Sequence, residues 1–244
     1  MIDSFGSSTI GALVAADFRR AEVFERFGID FCCNGRRLLT EACLSADVDP
    51  GDVTRALEAL PGPDSSDDDV RRWPIPRLIE HVVAVHHASV RAALPVISAQ
   101  LTRLIDADGA NHPELLRVNA YFSLMAADLQ QHLLKEEHVL FPYICDLAGH
   151  RDTVLLPRSP FGTVENPVRM MEREHAEIGD SMRIIRELTH GYSTPPDTCP
   201  TYGIAMAELQ QFEHDLVRHV HLENNVLFPA AVRLEQQLSG APED

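Results

Sequence analysis

Residues 132–142 read HLLKEEHVLFP, and residues 219–229 read HVHLENNVLFP. At an offset of 87 the histidine, the glutamate and the closing Val-Leu-Phe-Pro coincide, and so do Asp128 and Asp215, four residues earlier. Each copy is a D-x-x-x-H-x-x-x-E series. Residues four apart on a helix lie one above the other, their Cβ atoms about 5–6 Å apart. His132 with Glu136, and His219 with Glu223, therefore each offer an imidazole and a carboxylate to one point. A weaker repeat lies upstream, with VVAVHHASVRAALPVI around His87 and MMEREHAEIGDSMRII around His175. An offset of 88 pairs His87 with His175, Ala88 with Ala176, Val90 with Ile178 and Ile97 with Ile185; aligning His86 instead loses those matches.

Working outward, the chain reads as all-α. The first long helix of this region starts near Pro76 and passes Ile97, with a kink or break expected at Pro95, because proline removes an i to i−4 hydrogen bond. The second runs from about Pro113 to Phe141 and is stopped by Pro142. The third starts at Asn166-Pro167, a cap followed by an N1 proline, and ends near Gly191. The fourth runs from about Pro200 to Phe228, and helix resumes after Pro229 to about Leu238. Residues 61–70, PGPDSSDDDV, hold too little apolar content and too much like charge to pack, and read as a linker. This gives a small helical N-terminal domain at 1–60 and a four-helix bundle at 71–244. In the smaller domain, apolar Leu13, Ala16, Phe24 and Phe27 predict helix between Gly11 and Phe27, and Asp49-Pro50 starts another that reaches about Leu60.

Inward His and Glu on all four helices of an antiparallel bundle make a dinuclear metal site with pseudo-two-fold symmetry. A lone H-x-x-x-E reads as a solvated face; recurrence at a fixed offset, with an upstream histidine in each half, favours the metal reading. The ligand set is His87, His132, Glu136, His175, His219 and Glu223. Four imidazoles and two carboxylates do not saturate two octahedral ions, so exchangeable positions remain. That set suits two non-haem iron ions better than structural zinc, which favours closed tetrahedral sites rich in Cys. Asp128 and Asp215, and more weakly Glu174, are candidates for hydrogen bonding behind the ligands or for lining a channel; a solvated face is the competing reading. His86, His138, His214 and His221 fall on other faces and are expected at the surface. His81, His112, His150 and His190 have no supporting pattern.

The 244 residues carry a formal net charge of −16, which argues against a sequence-independent nucleic-acid binder and against an anionic membrane surface. No apolar run is expected to reach the length of roughly 20 residues that spans a bilayer, and the N-terminus MIDSFGSSTIG lacks the pattern of an export signal. Five irregularly spaced cysteines fit a reduced cytoplasm rather than a disulfide framework. Cys32-Cys33 sits before an Asn34-Gly35 turn. With Arg36 and Arg37 just beyond, its thiols are candidates for a lowered pKa and for reaction with oxidants or nitric oxide; packing in a minor core is the alternative. Two adjacent thiols alone are not a tetrahedral zinc set. Cys43, Cys145 and Cys199 receive no role.

FGIDFCCNGRRLL in a 60-residue N-terminal domain, joined to the duplicated H…HxxxE bundle, resembles the repair-of-iron-centres family. The resemblance covers nearly the whole chain. It implies a hemerythrin-like bundle with a di-iron centre, restoration of iron–sulfur clusters damaged by nitric oxide or peroxide through supply of iron, and handling of nitric oxide at that centre. The implied iron ligands are the six residues of the repeat, and the implied adjacent cysteines are Cys32 and Cys33. Damaged iron–sulfur proteins are the implied clients, NO or O₂ the small ligands, and a homodimer is allowed. Where family members carry Glu one turn before the first H-x-x-x-E, this chain has Asp128, one methylene shorter. Two other functions compete: a hemerythrin-like carrier or sensor of O₂ or NO, and an enzyme reducing NO or peroxide. Oxygen-carrying hemerythrins generally use five histidines, and the symmetric set of four here weakens the carrier reading. The E-x-x-H pattern of ferritin-like oxidases is absent.

Overall fold

The computed structural model describes residues 5, 7–61, 70–150 and 159–240. The expected linker lies outside the described residues apart from its ends, Pro61 and Val70. Described residues outside the helices form turns, bends and one isolated bridge, Thr9 to Leu38. The chain divides into two compact units: Glu80–Asp146 with Pro157–His219, and Met1–Ile79 with Leu147–Leu156 and Val220–Asp244.

The first of these units is built on long helices. They are α6 (Ala88–Asp108), α7 (Glu114–Lys135), α9 (Glu165–Leu188) and most of α10 (Pro200–Leu222), together with the end of α5 (Ile75–His81) and most of α8 (Phe141–Gly149). Helix α6 packs on α7, and α7 on α9. Each helix buries one stripe at alternating spacings of three and four, which keeps one face inward. On α6 the stripe includes Val90, Leu94, Ile97, Leu101 and Leu104; on α9 it is Val168, Met171, His175, Ile178, Met182 and Ile185. The repeated histidines continue these stripes: His87 lies one turn before Val90, and His132 follows Leu129. Phe122 of α7 meets Phe212 of α10 edge-on at 5.8 Å, and Arg186 of α9 holds Glu213 of α10 at 2.8 Å.

Among the described residues, three π-helical turns interrupt the regular helices, at Val82–His87, Glu136–Leu140 and Glu223–Leu227. In the last two, the amides of Phe141 and Phe228 donate five residues back, to the carbonyls of Glu136 and Glu223. These turns correct the expected stop at Pro142, while helix does resume at Pro229 as expected. Pro142 does not stop the second helix, which continues as α8, and Pro229 lies in the first turn of α11 (Phe228–Ser239) without a gap. A proline at a helix start loses an N–H that had no partner there, and each wide turn supplies such a start. Pro95 does not break α6 either; it is exposed, as is Arg91, the residue whose carbonyl it leaves without its helical donor. Asn166 is not a cap but lies in the first turn of α9, where its amide donates to the carbonyl of Phe161. The helix Ile75–Asp108 is long and apolar enough to cross a membrane by length and composition alone, where no such run was expected; a third of its apolar window is buried.

The second unit carries α1 (Ile10–Ala16), α2 (Arg20–Arg26), α3 (Leu39–Ser45), α4 (Pro50–Glu58) and α11. The helix expected between Gly11 and Phe27 is two helices. Asp17 ends the first by accepting from the backbone and guanidinium of Arg19. Asp49 caps α4 as its sequence predicts, accepting from the amides of Gly51 and Asp52. Helix α1 packs against the π turn Glu223–Leu227, and the core takes Phe24, Phe31 and Val53.

Candidate metal centre

All six residues of the repeat are buried, His87, Glu136 and Glu223 completely. Within the long-helix unit five of them converge. His87, Glu136 and His219 place ligand atoms within 4.8 Å of one another, and so do His132, Glu136 and His175. Glu136 is common to both groups. Its Oε2 lies 3.5 Å from His87 Nε2 and 3.3 Å from His132 Nε2. The Nε2 atoms of His132 and His175 are 2.8 Å apart. Glu223 follows His219 by four residues along the same run of helix.

Neither carboxylate oxygen of Glu136 has a hydrogen-bond partner. An ionised carboxylate buried this way costs several kcal/mol unless a cation compensates it. The donor chemistry fits a metal. At a metal–nitrogen bond of about 2.1 Å, two imidazoles at right angles place their nitrogens about 3.0 Å apart, and at a tetrahedral angle about 3.4 Å. The observed 2.8 Å is close to such separations, so both nitrogens are placed to serve one ion.

Outer carboxylates hold two of the imidazoles. Glu137 Oε1 accepts from His87 Nδ1 at 2.6 Å and from Arg91 at 2.5 Å. Glu174 Oε2 accepts from His132 Nδ1 at 2.9 Å, while its Oε1 takes Lys135 at 2.5 Å. Burial works to raise both carboxyls, but the bonds from His87 and Arg91, and from Lys135 and His132, hold each below its ordinary value. A proton kept on Nδ1 leaves Nε2 free to coordinate. Glu137 carries no signal of its own in the sequence beyond its place beside Glu136. His86, expected at the surface, is buried and stacks on His219 at 5.8 Å between ring centres. At an offset of 88, His86 stands where the other half has Glu174. His221, also expected at the surface, is buried against Phe18 and Phe31, whereas His138 and His214 are exposed.

Asp128 is exposed and lines a cavity of about 230 Å³ with Lys135, Glu174 and Glu177. Asp215 accepts from Gln211 at 3.0 Å. Among the described residues no hydrogen bond joins either aspartate to an imidazole of the set.

The adjacent cysteines lie in turns that precede α3 and not at a helix N-terminus, both half-buried, their Sγ atoms 3.7 Å apart. For Cys32 the surroundings overturn the expectation of a lowered pKa. The hydrogen bond with Cys33, burial, and the negative charge of Cys33 and Asp30 push the Cys32 thiol well above its ordinary value.

Residues 78–231 match the hemerythrin HHE cation binding domain, and residues 6–61 match a domain of unknown function, DUF542. The chain is 30% identical over 236 residues to the iron-sulfur cluster repair protein YtfE of Pectobacterium carotovorum subsp. carotovorum, covering 95% of this chain and all of that protein. The protein of the same name from Salmonella paratyphi B is 30% identical over 231 residues, 94% of this chain and 98% of its own length. The chain belongs to the repair-of-iron-centres family. The match is to a cation binding domain, on a hemerythrin-like bundle preceded by a small helical region, and the buried His and Glu groups could hold a metal ion.

Proposed function

We propose that the protein holds two iron ions and supplies them to iron–sulfur clusters damaged by nitrosative or oxidative stress. The observation that carries this reading is the position of Glu136, shared by two pairs of histidines. His87 and His219 would hold one ion and His132 and His175 the other, with Glu136 within reach of both pairs. In the sequence repeat Glu223 corresponds to Glu136, which makes it a further candidate ligand. Each ion then has one imidazole backed by a carboxylate: His87 by Glu137 and His132 by Glu174.

Iron here is cargo, and the donor set suits release. Imidazoles and carboxylates hold Fe²⁺ without thiolate, so proton uptake competes with the metal for each of them. Glu137 and Glu174 fix the imidazole tautomer, while Arg91 and Lys135, both partly exposed, connect these carboxylates to solvent. Open positions on each ion would admit NO or O₂. The names of the relatives support the client class, damaged iron–sulfur proteins, and the free cysteines support a reduced cytoplasm.

The test is recovery of an iron–sulfur enzyme inactivated by nitric oxide. Iron-loaded protein should restore activity faster than an equal amount of free ferrous iron, and the Glu136→Gln variant should not. Recovery no greater than with free iron would count against donation. The carrier reading instead requires a reversible absorption change on cycling O₂.

A further inference from the structure

The bundle reading leaves unused the turn around the adjacent cysteines. Asp30 Oδ1 accepts from the amides of Cys32 and Cys33, at 3.1 and 3.0 Å, and lies 3.2 Å from Cys32 Sγ. Asp30, Cys32 and Cys33 each offer a ligand atom within 4.8 Å of the other two. The spacing is informative. At a metal–sulfur bond of about 2.3 Å, two sulfurs of a tetrahedral site lie about 3.8 Å apart; at right angles they lie about 3.3 Å apart. The observed separation is 3.7 Å. For a sulfur and an oxygen ligand the tetrahedral edge is about 3.5 Å, against the 3.2 Å found. The sulfur–sulfur edge thus has the tetrahedral length, the sulfur–oxygen edge lies nearer its right-angle value of about 3.1 Å, and the third edge is under 4.8 Å, so two soft donors and one hard donor already lie within reach of one ion.

The backbone holds that arrangement. Asn224 donates to the carbonyl of Cys32 at 3.1 Å, and Asn225 donates to the carbonyls of Phe31 and Cys32 at 3.2 and 3.3 Å. Asn225 fits because Gly11 and Gly35 lack side chains; a Cβ on either would collide with its Oδ1. Asn34 donates to the second carboxylate oxygen of Asp30 at 2.6 Å, which leaves Oδ1 to the Cys32 sulfur.

We propose that Asp30, Cys32 and Cys33 form an open, exchangeable site for one borderline-soft divalent cation of the Fe²⁺ or Zn²⁺ kind. Two thiolates and a carboxylate select such an ion over Mg²⁺ or Ca²⁺. Binding forms two metal–sulfur bonds and one metal–oxygen bond and releases both thiol protons to water, with no electron transferred. The fourth corner stays with water or an incoming ligand, the mark of a site that passes metal on rather than locking it in. The proposal does not rest on the dinuclear reading of the bundle.

The test uses the full chain, reduced and anaerobic, titrated with Co²⁺ alone. Only thiolate ligation gives a sulfur-to-cobalt charge-transfer band, so Co²⁺ on imidazoles and carboxylates is silent in that region. The band should saturate at one thiolate-bound Co²⁺ per chain, beyond any Co²⁺ that the bundle takes up silently. Cys32→Ser and Cys33→Ser should each abolish it, Asp30→Asn should weaken binding roughly tenfold or more, and Cys145→Ser should change nothing. The band should also persist in Glu136→Gln, which separates this site from the bundle. No band in wild type with both thiols reduced, or a band that survives replacement of Cys32 and Cys33 together, overturns the proposal.

Discussion

Replacing Glu136 by Gln keeps the shape of the side chain and removes its charge, and the expected effects on apo and metal-loaded protein have opposite signs. In the apo protein Glu136 is fully buried and neither oxygen has a hydrogen-bond partner. The penalty for such an ionised carboxylate is several kcal/mol, against about 1–3 kcal/mol for a neutral amide in the same position. The apo variant should therefore be more stable than apo wild type by about 1–3 kcal/mol. Metal reverses the order. At a free metal concentration a hundred times Kd, each bound ion stabilises the fold by about 2.7 kcal/mol, and two by about 5.4 kcal/mol. For a chain of this size that raises Tm by roughly 10–20 °C, at about 2–4 °C per kcal/mol. Because Glu136 faces both histidine pairs, both proposed ions would lose a carboxylate donor in the variant. A hundredfold weaker Kd leaves about 0.4 kcal/mol per ion at the same metal concentration. Thermal melts of both proteins, with chelator and with Fe²⁺ under anaerobic conditions, read all four values. An apo variant less stable than wild type, combined with an undiminished shift on adding Fe²⁺, would refute the reasoning.

Three further predictions follow from the same structure. Glu137→Gln and Glu174→Gln should each lower the affinity of one ion by about 10–100-fold, measured by chelator competition, while leaving apo circular dichroism unchanged. Gly35→Ala should destabilise the small-helix unit by about 1–3 kcal/mol in denaturant titration, because the new Cβ meets the Asn225 side chain and the carbonyl of Phe31. Burial and then Glu213, which accepts from the Tyr192 hydroxyl at 2.9 Å, push the pKa of Tyr192 far above its ordinary value. The stability this contributes is fully present below the unfolded pKa of about 10 and is lost above it at about 1.4 kcal/mol per pH unit. Denaturant titrations at pH 9 to 11 should show Tyr192→Phe losing less stability than wild type by about that slope.

How far the sequence carries can be judged from particular residues. The duplication brought the four histidines and Glu136 into view because each continues a buried helical stripe, and helical spacing is what a sequence encodes best. What it hid were the π turns. Under regular α geometry, His86 should point about 100° away from His87, yet within Val82–His87 both are buried, and Glu137 reaches the ring behind Glu136. A π turn inserts one residue without a composition of its own, so neither neighbour could be assigned by spacing. Prolines misled for the same reason: at Pro142 the stop signal is local, and the wide turn before it absorbs the missing bond. Glu174 was legible only as a weak candidate, since its partner His132 lies on another helix. For Cys32, the nearby arginines suggested a lowered pKa, but contact with Cys33 and Asp30 decided the opposite.

The central claim is a dinuclear iron centre shared by two histidine pairs, and metal content per chain tests it most directly. Protein purified anaerobically from iron-replete cells should carry close to two irons. Replacing His132 should remove metal from one pair, replacing His219 from the other, and replacing both should remove all of it. A reproducible single zinc, or no iron after reconstitution, would contradict the account and leave the repeat as a packing feature.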